Sequence, residues 1–76
     1  MMPKSQSPVW KSFEPHRGDI KKSGSGRNTR YYKWDHTHGD IEVYDRNGDH
    51  LGSADPVTGE IYKPAVPGRN IRDELK

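Results

Sequence analysis

The sequence predicts a mainly β protein, α+β at most, built on a small antiparallel sheet of about four strands. Residues 40–44 alternate polar and apolar side chains with the period of a strand. An Asn-Gly pair at residues 47 and 48, and a Pro and a Gly within residues 55–59, stand where hairpin turns favour them. These turns would connect neighbouring strands into a meander within a single small domain of 76 residues.

Residues 1–28 are expected to form a basic, Gly/Ser/Pro-rich arm that is mostly irregular, because few apolar residues interrupt its polar composition. One helical turn could form over residues 9–13, since Pro8 suits the first helical position and Pro15 would end the helix. Trp10 and Phe13 would then pack back onto the rest of the chain.

Residues 29–76 are expected to form the antiparallel β module. Four segments have the composition of strands and are separated by turn signals: residues 30–35, 40–44, 50–54 and 60–63. Pro64 ends the pairing because proline cannot donate a hydrogen bond to a strand ladder. The polar tail from Gly68 onward has room for one helical turn over residues 70–75.

The composition excludes several classes of site. The chain has no cysteine, so disulfides, thiolate zinc sites and cysteine nucleophiles are excluded. Charged residues make up 32% of the chain and apolar residues 28%. No stretch approaches the roughly 20 apolar residues that a membrane helix requires, and the start lacks the apolar core of a signal peptide. We therefore expect no membrane anchor in this chain.

Charge is divided unequally along the chain, although its net value is only +2. Residues 1–33 carry eight Lys and Arg against two acidic residues, whereas residues 34–76 carry five against nine. A basic segment joined to an acidic, histidine-containing one favours binding of a polyanion by the first and chemistry by the second. A solubilising tail would explain the same charge pattern equally well.

The strand predicted at residues 40–44 has two distinct faces, because side chains alternate along a strand. Ile41 and Val43 share the face that should point to the core. The other face, extended back by two residues, carries four polar side chains: His38, Asp40, Glu42 and Tyr44. A histidine and a carboxylate so placed could cleave RNA without a metal, one deprotonating the ribose 2′-hydroxyl and the other protonating the departing 5′-oxygen. A solvated strand face is also commonly polar, and that simpler interpretation stays open here.

A metal site is an alternative use of the histidines. His36, His38 and His50 occur together with several aspartates. They lack the fixed ligand spacing that is typical of a metal centre. We therefore predict no metal and no other cofactor.

Three blocks of sequence carry a resemblance to a known family: YKWDHTHGDIE at residues 32–42, HLGSADPVTG at residues 50–59 and RNI at residues 69–71. Over residues 31–71 the chain resembles the cytotoxic domain of cloacin and the ribosome-cleaving colicins. The resemblance implies a twisted antiparallel sheet with a short N-terminal helix. It also implies a metal-independent ribonuclease that cuts 16S ribosomal RNA at the decoding site and arrests translation.

The resemblance places the family's catalytic set on four residues of this chain: Asp35, His38, Glu42 and Arg69. Glu42 would be the general base on the 2′-hydroxyl and His38 the general acid. Asp35 would orient and charge His38, and Arg69 would stabilise the transition state. Five further residues are expected to bind substrate: Tyr32, Asp40, Tyr44, His50 and Lys63.

The partners implied by the resemblance are 16S rRNA in the 30S or 70S ribosome and an acidic immunity or antitoxin protein. The domain would act in the cytoplasm of a target bacterium, delivered as part of a larger secreted or surface toxin. The rival hypothesis is a noncatalytic RNA-binding or ribosome-associated module that uses the basic arm and stacks bases on Tyr31, Tyr32 and Trp34. Such a module has no use for His38 and Glu42 on one face.

Overall fold

The computed structural model describes residues 1–76 and consists of one six-stranded antiparallel sheet whose strands follow each other in chain order. The strands are β1 (Glu14–Arg17), β2 (Ile20–Ser23), β3 (Arg30–Asp35), β4 (Asp40–Tyr44), β5 (His50–Ala54) and β6 (Ile61–Pro64). One short helix, α1 (Pro8–Ser12), precedes them, with 3-10 turns at Lys4–Gln6, Gly26–Asn28 and Arg72–Glu74. The predicted mainly β class is confirmed, and the four predicted strands correspond to β3 to β6.

The structure differs from the prediction within residues 1–28, because β1 and β2 form a hairpin there and extend the sheet to six strands. Gly18, at φ 55°, provides the left-handed turn between them. β2 pairs with β3, and only its Ile20 is buried. A lysine-rich strand with one buried apolar residue has no clear period-two pattern, so its pairing with β3 is what makes it a strand.

The three connections between β3 and β6 share one local hydrogen-bonding pattern. Each begins with an aspartate whose Oδ1 accepts backbone N–H groups two to four residues further on: Asp35, Asp45 and Asp55. This Asx-type hydrogen bonding favours a tight turn over a continued strand. Gly48, at φ 85°, completes the turn predicted at residues 47 and 48, and a Cβ there would lie 2.9 Å from the Arg72 backbone nitrogen.

One face of the sheet is covered by α1. Ser7 caps this helix by accepting the Trp10 N–H at 3.0 Å, and its hydroxyl donates to the Pro56 carbonyl at 2.6 Å. Pro8 begins the helix and Trp10 packs on the sheet, as predicted. The resulting core cluster contains Trp10, Tyr32, Ile41, Val43 and Ala54. No helix of the chain is long and apolar enough to cross a membrane.

The opposite face is divided into an apolar part and a polar part. Ile20, Tyr44 and Ile71 form a second buried cluster, where the C-terminal segment folds back onto the sheet. The Ile71 N–H donates to the Gly48 carbonyl at 2.9 Å and fixes this return. Next to the cluster, four residues that pair with one another across β3, β4, β5 and β6 carry polar side chains: Lys33, Glu42, Ser53 and Lys63. This polar part carries the candidate site.

Candidate active site

An open cleft of about 470 Å³ lies on the polar part of the sheet, beneath the loop that follows β6. Its lining residues are Asp35, His38, Glu42, His50, Ser53, Lys63, Pro64, Ala65, Val66, Pro67 and Arg69. All four residues predicted as catalytic are therefore in one cleft, with two of the five predicted substrate contacts, His50 and Lys63. The other three predicted contacts lie outside it.

The turn between β3 and β4 positions His38. Asp35 Oδ1 accepts the backbone N–H groups of Thr37 at 2.8 Å and His38 at 3.0 Å, while Asp35 Oδ2 lies 2.9 Å from His38 Nδ1. Because an ionised carboxylate only accepts, the His38 ring donates through Nδ1. Its Nε2 has no protein partner, and the side chain is 59% exposed. His38 thus has one nitrogen held by Asp35 and one open for proton exchange.

The charge of Asp35 is maintained by its hydrogen bonds. Burial opposes ionisation, but the hydrogen bond from the His38 side chain and those from the His38 and Thr37 backbones outweigh it, so the pKa of Asp35 is lowered. An ionised Asp35 stabilises a positively charged His38 ring. This is the electrostatic arrangement that a histidine acid requires.

Glu42 occupies the centre of β4 and receives three hydrogen bonds. Its Oε1 accepts from His50 Nε2 at 2.7 Å and from Arg69 at 3.2 Å. Its Oε2 accepts from the Ser53 hydroxyl at 3.0 Å. The side chain is 13% exposed. Donors on both oxygens orient the carboxylate, and Oε2 retains lone-pair capacity towards the cleft.

His50 is held in one tautomer by its two neighbours. Its Nδ1 accepts the Val66 backbone N–H at 2.9 Å, so this nitrogen carries no proton. The proton is therefore on Nε2, which donates to Glu42, and the ring is neutral. With a side chain only 1% exposed, His50 does not present a surface to substrate. It instead ties the loop after β6 to Glu42, which makes it a positioning residue.

Arg69 reaches the cleft from that same loop. Its carbonyl accepts the His50 N–H at 3.0 Å, and its own N–H donates to the Val66 carbonyl at 3.1 Å. The Arg69 side chain is 47% exposed, and its guanidinium makes one contact with Glu42. Its remaining donors can bind a phosphate in bidentate geometry.

Asp40 and Lys63 form a buried anchor and an exposed cation. Asp40 is 1% exposed, and its Oδ2 accepts from Lys63 Nζ at 3.0 Å and from the Tyr62 hydroxyl at 2.5 Å. Its Oδ1 is buried without a partner. Asp40 was predicted to bind substrate, but burial leaves it only an indirect role, holding Lys63 at the cleft. The hydrogen bond from Lys63 to Asp40 raises the pKa of Lys63, which keeps the ammonium charged.

Tyr32 and Tyr44 are not in the cleft. Tyr32 pairs with Val43 and so lies on the opposite face, where its ring stacks on Phe13 at 3.6 Å between centroids. Tyr44 is on the cleft side but 4% exposed, with its ring centroid 5.3 Å from that of His50. Burial and then the charge of Glu42 raise the pKa of Tyr44 to about 12. Both tyrosines pack in the buried clusters of the sheet, and neither lines the cleft.

Sequence reasoning missed Ser53 and Tyr62. Ser53 lies in the matched block at residues 50–59, and its register opposite Glu42 is the signal that identifies it. Tyr62 carries no motif, and only its hydrogen bond to Asp40 and the position of its ring beside Lys63 Nζ connect it to the site.

One group of side chains could hold a divalent cation, since carboxylate oxygens of Asp35, Asp40 and Glu42 lie within 4.8 Å of one another. Lys63 and Arg69 already donate to two of these three carboxylates. In the alternative metal site of His36, His38 and His50, both ring nitrogens of His50 already have protein partners. The arrangement is thus a pair of acid-base groups with two cations beside them.

Comparisons with known proteins identify the family of this chain. A family model described as Cytotoxic matches residues 4–72. Colicin E3 of Escherichia coli is 41% identical over 64 residues that cover 72% of this chain. Cloacin and colicin E6 of the same organism are each 39% identical over 64 residues. The chain spans only 11–12% of the length of these relatives. It belongs to the Cytotoxic family, the cytotoxic domains of bacteriocins of the colicin and cloacin type.

Proposed function

We propose that the chain is an endoribonuclease that cleaves 16S ribosomal RNA at the decoding site without a metal and so arrests translation. The observation that carries this proposal is the cleft in which Glu42, fixed by three donors, accompanies the free Nε2 of His38 and the Arg69 guanidinium. A base, an acid and a phosphate-binding cation are the groups that RNA transesterification needs.

The reaction begins at Glu42, which accepts the proton of the ribose 2′-hydroxyl. The 2′-oxygen attacks phosphorus as the bond to the 5′-oxygen breaks, and a 2′,3′-cyclic phosphate forms. His38 Nε2 gives its proton to the departing 5′-oxygen, while ionised Asp35 stabilises the charged ring at Nδ1. Arg69 and Lys63 stabilise the negative charge that develops on the phosphate oxygens.

His50 and Ser53 act through Glu42. His50 donates to one carboxylate oxygen and Ser53 to the other, so the base cannot rotate away from the substrate. The Val66 N–H keeps the His50 donor on the correct nitrogen. Proximity and orientation of this kind account for a large part of enzymatic rate enhancement.

The partners follow from the charge distribution. The basic residues concentrated in residues 1–33 supply contacts to ribosomal phosphates, and Arg17, Arg27 and Arg30 are exposed. A small acidic immunity or antitoxin protein binds the same cationic surface and blocks ribosome docking. The domain is delivered within a larger toxin and acts in the cytoplasm of the target bacterium.

The noncatalytic RNA-binding alternative loses support from the position of Tyr32. This residue was one of three candidate stacking surfaces, and it is 6% exposed in the core. The alternative also leaves the hydrogen bonds that orient Glu42 without a purpose.

Purified chain incubated with intact ribosomes in excess chelator tests the proposal. We expect one discrete 3′ fragment of 16S rRNA, together with loss of translation. Glu42→Gln is the matched control and should release roughly two to four orders of magnitude less fragment. Absence of the fragment from wild-type reactions would overturn the ribonuclease proposal, and a fragment that disappears on chelation would overturn metal independence.

A further inference from the structure

Tyr62 occupies an unusual position on β6. Ile61 pairs with Ala54 and Lys63 pairs with Ser53, so β6 has one residue more than β5 over this interval. The additional residue is Tyr62, which forms a β-bulge. A bulge redirects a side chain relative to strict alternation, and both Tyr62 and Lys63 reach the same oxygen of Asp40.

The Tyr62 ring is exposed but fixed. More than half of the residue, 53%, is accessible to solvent. Its hydroxyl donates to Asp40 Oδ2 at 2.5 Å, and Asp40 is buried. An exposed tyrosine usually has its polar end in water. Here the polar end is anchored inward on Asp40, so the aromatic surface is held at a defined place beside that carboxylate.

A cation lies next to this ring, and the proposed base lies close to the carboxylate that anchors the ring. Lys63 Nζ is 5.4 Å from the ring centroid and lines the cleft. Asp40, which holds both residues, has a carboxylate oxygen within 4.8 Å of one from Glu42. An oriented aromatic ring beside a lysine is the combination by which proteins bind single-stranded RNA, the ring stacking on a base and the cation meeting its phosphate.

We propose that Tyr62 is a stacking subsite for an unpaired nucleobase adjoining the scissile phosphodiester, with Lys63 contacting the phosphate of that nucleotide. The inference rests on the proposed ribonuclease function and specifies how its substrate is bound. Asp40 is the positioning residue of this subsite. The bulge is what allows ring and cation to share it.

Steady-state cleavage of intact ribosomes by Tyr62→Leu and Tyr62→Phe tests the subsite. Losing one stacked base should raise KM about tenfold in Tyr62→Leu, with kcat changed little. Tyr62→Phe keeps the ring and should stay much closer to wild-type KM. Val57→Ala is the matched control, because Val57 is similarly exposed, at 55%, and lies outside the cleft. An unchanged KM in Tyr62→Leu, or equal impairment in both Tyr62 variants, would overturn stacking.

A 2′-O-methyl RNA oligonucleotide of decoding-site sequence can bind but cannot be cleaved, because it has no free 2′-hydroxyl. Its binding therefore tests the stacking subsite independently of the reaction. NMR of the wild-type protein should show ring-current shifts of the Tyr62 ring signals on titration. Shifts in a protein that does not cleave ribosomes would retain the subsite while the ribonuclease proposal fails. Cleavage by the wild type with no shift at Tyr62 would remove the subsite alone.

Discussion

Two histidines of the cleft belong to regions of opposite character. His38 and Asp35 form an exposed dyad on the turn between β3 and β4, and the His38 side chain is 59% exposed. Glu42, His50 and Ser53 form a buried triad on β4 and β5, in which the His50 side chain is 1% exposed. The same residue type has one free nitrogen in the dyad and none in the triad.

In the proposed mechanism, this difference separates proton transfer from positioning. A histidine exchanges a proton with substrate only when a ring nitrogen is accessible, which holds for His38. A histidine whose two nitrogens are occupied by an amide and a carboxylate preserves a geometry, which holds for His50. Mutation of His38 should therefore change activity with little change in stability, whereas mutation of His50 should affect both.

The largest effect is expected from the base of the triad. Glu42→Gln should lower ribosome cleavage by roughly two to four orders of magnitude, the usual contribution of a positioned acid-base group. The amide can still accept from His50 and interact with Ser53, so the variant should fold. Single-turnover cleavage with a matching circular dichroism spectrum measures this. Wild-type activity in Glu42→Gln would contradict a catalytic role for Glu42 and would favour the interpretation of the polar face as an ordinary solvated strand face.

The second-largest effect is expected from loss of His38, the proposed general acid of the dyad. His38→Ala should also lower cleavage by roughly two orders of magnitude or more, because no other free imidazole lines the cleft. Its unfolding temperature should stay near wild type, since Asp35 still accepts two backbone N–H groups. His36→Ala, an exposed neighbour outside the cleft, is the control. A large stability loss in His38→Ala would contradict the division between dyad and triad.

His50→Ala, in contrast to His38→Ala, should lower the stability of the fold. It leaves the Val66 N–H unpaired, removes one donor from Glu42 and opens a cavity, which together should cost about 2 kcal/mol or more. For a domain of this size each kcal/mol lowers Tm by about 4–8 °C. Thermal denaturation measures the loss. A stable His50→Ala protein with reduced cleavage would mean that His50 acts on substrate rather than on Glu42.

The smallest effect concerns alkaline pH. Burial and then the Glu42 charge raise the pKa of Tyr44 from 10.0 to about 12. The stability that this shift represents is present below pH 10.0 and should fall as the pH rises towards about 12, because Tyr44 ionises first in the unfolded chain. Tyr44→Phe should flatten that decline in denaturant melts between these limits. Parallel declines in both proteins would show that Tyr44 is less buried than its cluster indicates.

Local sequence signals were sufficient for much of this protein. Alternation at residues 40–44 predicted that Ile41 and Val43 face the core, where they are 0% and 1% exposed. The Asn-Gly pair and the Asp55 turn predicted the hairpins, because turn residues act within a few positions of themselves. The resemblance in three blocks led to four residues that the structure brings into one cleft.

Contacts between distant segments decided the rest. The β1–β2 hairpin exists through its pairing with β3, and the face occupied by Tyr32 follows from its register with Val43. The neutral state of His50 depends on Val66, sixteen residues away, and the orientation of Tyr62 on Asp40, twenty-two residues away. Periodicity encodes which side chains alternate along one strand. Which strands meet, and in which register, is decided only when non-local hydrogen bonds and burial are formed together.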